Sequence, residues 1–365
     1  MLLLLGRSVG LCCLPRYQEV KNIYGVEENF ISCVESYLTE RQQAVWIDHC
    51  FSEFLASDVG VPQGSNLGPL FFLIFYNDLP FSLDSDLEVF ADDSSVTATD
   101  EHVDEIGAEL TREGAKICQW MLENRLKLNA DKTHLLTVGT QQRLRILPEL
   151  PRVVIDGIVI QESQDRNEFL LGCTIQNNLK WNSQVHNLQL KLKSRLAGLN
   201  KIKYLVPYNT RKTITQSIFN SVMVYCISLF GGCDKSHIKD IQVLQNKAAQ
   251  IVTHSPPRTR REELHDQVQW LTVNQLIVYH TLVTVFKIRK NNEPEYLALK
   301  LNNDTRTGRI LIPNTDLRLA QNSFVIRGSS NWNTLPEHIR NQVKIGSFKK
   351  LVKIWILKNI PRFLQ

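Results

Sequence analysis

Glu88-Val89-Phe90-Ala91-Asp92-Asp93-Ser94-Ser95-Val96 is the stretch on which the reading of this 365-residue chain turns. Alternating apolar residues on either side of the acids predict two short strands, Leu87–Ala91 and Ser94–Ala98, joined by a tight turn. Side-by-side carboxylates repel each other and take up protons unless a cation lies between them. A turn at the end of a paired sheet would hold both within reach of solvent, which makes Asp92 and Asp93 candidate metal ligands. Mg²⁺, with Mn²⁺ as the alternative, takes such hard oxygen donors and completes its shell with water or phosphate. Alone, an Asp-Asp turn is usually no more than a solvated turn, so its surroundings decide.

Upstream, Gly60-Val61-Pro62-Gln63-Gly64-Ser65 reads as a turn, and Ser65 or Asn66 as the cap of a helix with Pro69 in its first turn. The run Leu70 to Phe75 is apolar on nearly every side, which predicts a helix buried on most faces. Further upstream, residues 27–40 have helical spacing, and Ala44–Ile47 reads as a strand before a turn at Asp48-His49. Downstream, Asp100 precedes a long helix with the stripe Val103, Ile106, Leu110, Ile117 and Met121. Thr133–Val138 is the next strand. Val153–Ile160 around Asp156-Gly157 is a hairpin, and Phe169–Ile175 is one more strand.

From Trp181 the pattern turns helical. Val185, Leu188, Leu192, Leu196 and Leu199 form one face, with Thr210 and Ser236 opening two further helices. Pro256-Pro257-Arg258-Thr259-Arg260-Arg261 is an exposed loop, Leu276–Ile288 a helix, 291–345 irregular, and Phe348–Leu357 a short amphipathic close. The fold class is therefore α+β, an antiparallel sheet with packed helices followed by a mostly helical region.

Charge divides the same way. Residues 1–179 hold 13 Lys/Arg against 27 Asp/Glu, whereas 180–365 hold 29 against 10. The basic half points to a polyanion partner, with Lys191, Lys193, Arg195, Lys201 and Lys203 the candidate contacts. Eight cysteines without a C-x-x-C pair, and no Cys/His spacing of a zinc site, read as reduced thiols in an intracellular protein of the cytoplasm or nucleus. Met1–Leu5 makes a poor signal peptide. The longest apolar stretches fall short of the ~20 residues of a membrane span, so no membrane partner is expected.

Taken in order, the Gly60–Ser65 turn, Gly68-Pro69-Leu70, Tyr76-Asn77-Asp78-Leu79-Pro80, Phe90-Ala91-Asp92-Asp93, Trp120, Leu128-Asn129 and Lys132-Thr133 resemble the palm of reverse transcriptases of jockey-like, LINE-type non-LTR retrotransposons. Leu244–Ala249, Trp270-Leu271 and Trp332–Pro336 continue the resemblance weakly. The resemblance implies RNA-directed DNA synthesis by two-metal nucleotidyl transfer, on an RNA template with a DNA primer. It places Asp92 and Asp93 at catalytic metal, Gln63 and Gly64 beside the nucleotide and template, and Lys132 where a lysine would protonate pyrophosphate. It divides the chain into a leader (1–23), a partial palm (24–145), a hairpin connection (146–179), a basic thumb-like region (180–256) and a C-terminal helical region (257–365).

The family also carries an aspartate on a strand ahead of the segments seen here as Tyr24-Gly25 and Ser36-Tyr37-Leu38. Positions 1–47 contain no aspartate, and the fingers are missing too. The chain is therefore expected to be an N-terminally truncated copy, inactive alone. The alternative is a non-enzymatic nucleic-acid-binding protein that uses its basic helical half.

Overall fold

The computed structural model describes residues 2–5, 25–57, 60–62, 64–147, 149–302, 304–306 and 308–363. The chain folds as two units, 1–168 and 169–365.

The first unit contains a four-stranded antiparallel sheet, with helices α1 (Glu28–Leu38), α2 (Gly68–Tyr76), α3 (Val103–Glu123) and α4 (Gln141–Ile146). Sheet order is β6 (Asp86–Phe90), β7 (Asp93–Thr97), β1 (Leu2–Leu5), β8 (His134–Leu136). The leucine run at the start of the chain is thus an interior strand, hydrogen-bonded on both sides. Leu4 lies opposite Ser95 on β7 and opposite His134 on β8.

Residues 42–56 form a nested hairpin, with β2 (Gln42–Gln43) on β5 (Leu55–Ala56) and β3 (Trp46–Ile47) on β4 (Cys50–Phe51). Its turn, Asp48-His49, has both residues at positive φ, the geometry that matches the strand twist. β9 (Val153–Ile155) and β10 (Ile158–Ile160) pair around Asp156-Gly157, again both at positive φ.

α3 packs on β9 through two glycines. A Cβ on Gly107 would come within 2.9 Å of the Arg152 carbonyl, and one on Gly114 within 2.7 Å of the Ile155 side chain. Around this contact Leu110, Ile117, Met121, Val153 and Ile155 are all buried.

α2 departs from the expectation of burial on most faces. Phe71, Phe75 and Tyr76 are buried, but Leu70 and Leu73 are about half exposed. Its inner side rests on Tyr37 of α1, through Phe71, and on Trp120 of α3, through Phe75 and Tyr76. Amphipathicity is absent from its sequence, so the exposed side could not be read there.

The second unit is almost wholly helical. A hairpin of β11 (Asn167–Leu170) and β12 (Cys173–Gln176) leads into it. Phe169–Ile175 is therefore two strands instead of one, because Leu171 and Gly172 turn the chain with φ of 47° and 83°. There follow α5 (Asn182–Ile202), α6 (Tyr208–Thr215), α7 (Ser221–Val224), α8 (Ile227–Phe230), α9 (Lys235–Thr253), α10 (Arg261–Val268) and α11 (Val273–Asn291). Thr210 sits inside the first turn of α6, which begins after Pro207; proline lacks the N–H that a helix start leaves unbonded.

The stretch 291–345 is irregular only in part, chiefly between Leu301 and Arg318. It holds α12 (Glu295–Leu301), α13 (Arg318–Gln321), α14 (Phe324–Thr334) and α15 (Glu337–Arg340), before α16 (Ile345–Asn359). These helices are too short for periodicity to reveal and are stabilised by packing. Phe348 stacks between Phe286, at 4.2 Å, and Trp332, at 5.8 Å. A second core joins α5, α9 and α11 around Leu192, Phe219, Phe230 and Ile241. Among the described residues no single helix is long and apolar enough to cross a membrane; the bent pair α10–α11 passes that test only when joined, and its second helix lies largely in the core.

Candidate functional site

The acids sit at the mouth of the β6–β7 hairpin. Phe90 pairs with Asp93, so Ala91 and Asp92 alone make the turn. Such a turn wants a residue at positive φ in its first position, usually glycine, and here Ala91 takes φ 53°. Asp92 and Asp93 are both half-buried, and Ser94 and Ser95 behind them are buried.

Several neighbours fix the hairpin in place. The Tyr76 hydroxyl, at the end of α2, hydrogen-bonds the Ser94 hydroxyl at 3.1 Å. Burial raises the Tyr76 pKa, and the negative charge of Asp92 raises it further, against the lowering effect of the bond to Ser94. Glu113 of α3 has no solvent exposure, and its carboxylate accepts from the Asp84 amide at 3.0 Å, the Ser85 amide at 3.4 Å and Lys116 Nζ at 2.8 Å. Those amides belong to the turn that feeds β6. Burial would push the Glu113 carboxyl up, but its bonds to Lys116 and to the two amides outweigh this and hold it below the usual glutamate range.

Tyr76, Ser94 and Glu113 escaped the reading of the sequence. Glu113 carried a signal: it falls on the apolar stripe of α3, between Leu110 and Ile117, where a charge needs a partner.

Register brings Lys132 to the same end of the sheet. Both β7 and β8 run antiparallel to β1, so they begin at one end, about 9–10 Å apart across β1. Lys132 is exposed in the turn Ala130–Lys132 just before β8, and Asp93 opens β7.

Gly64 sits in the turn before α2 with φ 83°, and open space surrounds its Cβ position, so its need for glycine is conformational. The Ser65 hydroxyl accepts from the Gly68 amide at 2.9 Å and starts α2. The nine residues of α2, about 13 Å long, separate this turn from the Tyr76–Ser94 bond. Gln63 and Asp58 lie outside the described residues. Asp48 is in the β3–β4 turn, as its sequence suggested. Among the described residues no three His, Cys, Asp or Glu side chains are grouped to hold a metal ion.

The cations of the basic half do not form one row. At about 100° per residue, Lys191 and Arg195 fall on one flank of the buried stripe of α5, Lys193 on the other and Lys201 opposite it. Lys191 Nζ lies 5.6 Å from the Phe169 ring centre and Lys203 Nζ 4.8 Å from that of Tyr204. Trp270 and Trp332 are buried, which makes them core residues.

The tip thus presents an Asp-Asp pair on an antiparallel sheet backed by helices. Residues 24–191 match the reverse transcriptase (RNA-dependent DNA polymerase) family, over a little under half of this chain. Its likeness is to the jockey-like, non-LTR branch. It is 26% identical over 281 residues to "Probable RNA-directed DNA polymerase from transposon BS", 24% over 293 residues to "RNA-directed DNA polymerase from mobile element jockey", and 26% over 260 residues to "Probable RNA-directed DNA polymerase from transposon X-element", all of Drosophila melanogaster. These matches cover 72%, 75% and 69% of this chain but 30%, 31% and 28% of the relatives, so the chain spans under a third of their length.

Proposed function

We propose that the first unit is the palm of an RNA-templated DNA polymerase in which Asp92 and Asp93 hold a divalent cation, and that this chain by itself does not extend a primer. The observation that carries the first part is the hairpin tip: two hard carboxylates, half-buried, on a hairpin held by Tyr76 just behind the turn and by Glu113 at its far end. Their chemistry suits Mg²⁺ or Mn²⁺, which bind through one or two carboxylates and complete their shell with substrate phosphates. When bound, the metal would neutralise charge developing on a transferring phosphate.

The chain's own residues supply position and charge. Tyr76 and Ser94 fix the depth of β7, the turn around Gln63 and Gly64 is the candidate nucleotide and template contact, and Lys132 offers a cation at the same sheet end. Lys191, Lys193, Arg195, Lys201 and Lys203 would meet nucleic-acid backbone. The second part follows from the donor count. Two acids are at the tip, residues 1–47 contain no aspartate, and Asp48 belongs to another hairpin. A site short of one shared ligand loses most of its charge stabilisation.

Primer extension on an RNA template with Mg²⁺ or Mn²⁺ is expected to give no template-dependent product. Product that disappears in Asp92→Ala would overturn the inactivity. Metal binding is read separately, by Tb³⁺ luminescence, which is expected to titrate in the wild type and to weaken at least about tenfold in Asp92→Asn/Asp93→Asn. An unchanged titration would remove the carboxylate assignment.

A further inference from the structure

We propose that the cleft between the C-terminal ends of α5 and α9 is a seat for single-stranded nucleic acid, with Tyr204 as its stacking platform and Lys203 and Lys247 as its phosphate contacts. The cleft has a volume of about 630 Å³, and Lys203, Tyr204, Lys247, Gln250, His254 and Pro256 are among the residues that line it. That lies within the ~300–1,000 Å³ of sites that enclose small molecules, room enough for a nucleotide. None of its lining residues is acidic.

Tyr204 is 76% exposed, an unusual state for a large aromatic ring held in one orientation. Two neighbours lie against it. The His254 ring lies 5.0 Å away at 53°, and Lys203 Nζ stands 4.8 Å from the ring centre. His254 itself is tied down by a 2.9 Å bond between Nε2 and the Lys203 carbonyl.

Helix C-termini present carbonyl oxygens, and two of them facing one cleft would repel a phosphate. Here Arg211 removes that objection. It is buried, and its guanidinium donates to the Val252 carbonyl of α9 at 2.8 Å and to the Lys203 and Val206 carbonyls beyond α5 at 2.9 Å each. One buried cation therefore pins both helix ends together and cancels their partial charge. The rim is fixed as well. Gln250 donates to the Pro257 carbonyl at 3.1 Å and Thr259 to that of Pro256 at 2.8 Å, which shapes a loop carrying exposed Arg258 and Arg260.

An exposed ring, proline and imidazole walls, and two lysines in the lining suit a ligand that unites a planar base with a phosphate. An acidic peptide offers no face to the ring. A duplex keeps its bases stacked on each other, so only an unpaired strand can lay one on Tyr204. This inference rests on the reading that the basic half contacts nucleic acid, and gives that contact a defined place.

The test uses the full chain and fluorescence anisotropy with fluorescein-labelled RNA and DNA oligomers of about 12 nucleotides, single-stranded and duplex; the RNA and DNA arms separate the two sources of strand. Tyr204→Ala is expected to weaken single-strand binding roughly 5- to 100-fold, with Tyr204→Phe near wild type and duplex binding unchanged. Lys203→Gln/Lys247→Gln should reduce the slope of log affinity against log salt by about 1.4. If Tyr204→Ala binds single strands as Tyr204→Phe does, or polyglutamate competes as well as RNA, the cleft assignment falls while the broader reading stands. If the wild-type chain binds no nucleic acid, both fall.

Discussion

Ala91 occupies a backbone region that costs an L-residue about 1–2 kcal/mol, and it does so beside the two candidate metal ligands. Ala91→Gly relieves that cost but loosens the unfolded chain, so the net gain is expected to be about 0.5–1 kcal/mol, read from the urea midpoint. A loss of stability would show that the methyl group packs productively. Glu113 governs the approach to the same hairpin. A carboxyl whose pKa is lower folded than unfolded stabilises fully above the unfolded value, about 4.3, and that contribution disappears as pH falls through the folded value. Glu113→Gln is expected to cost about 1.5–3 kcal/mol at pH 7 and to flatten the fall in stability on the acid side of roughly pH 5. An unchanged acid limb in the variant would assign acid unfolding to other carboxylates. Neither residue announces itself by type, since an alanine at positive φ leaves no trace in composition. The hairpin that carries Asp92 and Asp93 was legible because alternating apolar residues flank a short polar turn.

Among the described elements of the first unit, the contact between α3 and β9 leaves a glycine the least room for a side chain. Gly107→Ala drives a methyl against the Arg152 backbone, which cannot rotate away, whereas Gly114→Ala meets the Ile155 side chain, which can. Gly107→Ala is therefore expected to destabilise by about 1–2 kcal/mol after the helix-propensity gain of alanine, and more than Gly114→Ala. Equal losses in thermal melts would argue that β9 shifts as a body. The hairpins at Asp48-His49 and Asp156-Gly157, the helix α3 and the long helices of the basic half could all be read from turn chemistry and spacing. Other elements could not. Gly172 inside the apolar run Phe169–Ile175 was the available sign of a turn, and it was outweighed by the strand-like residues around it. Four leucines are too few to be read as a strand without the neighbours that pair with them. The 42–56 hairpin shows a different limit: Trp46, Phe51 and Phe54 are each over 60% exposed, though their composition suggests a core.

For the whole molecule, charge is the property that sequence conveys most faithfully. The change from acidic to basic near residue 180 lies close to the boundary between the two units at 168. Binding of RNA or DNA to the intact chain is expected to fall at least about tenfold between 50 and 200 mM salt. A flat response would mean that the basic surplus is spent on neutralising the acidic half. What charge could not convey is arrangement, because the α5 cations are spread around the helix on either side of and opposite its buried stripe, and the cleft by Tyr204 draws residues from segments some 50 positions apart. The interior strand β1 carries a consequence of its own. All four of its residues are leucine, so a slide of two positions lays like upon like. Alignment along that ribbon must then be dictated by β7 and β8 and by the ends of the ladder, and amide exchange at Leu3 and Leu4 would report how firmly those flanks grip it.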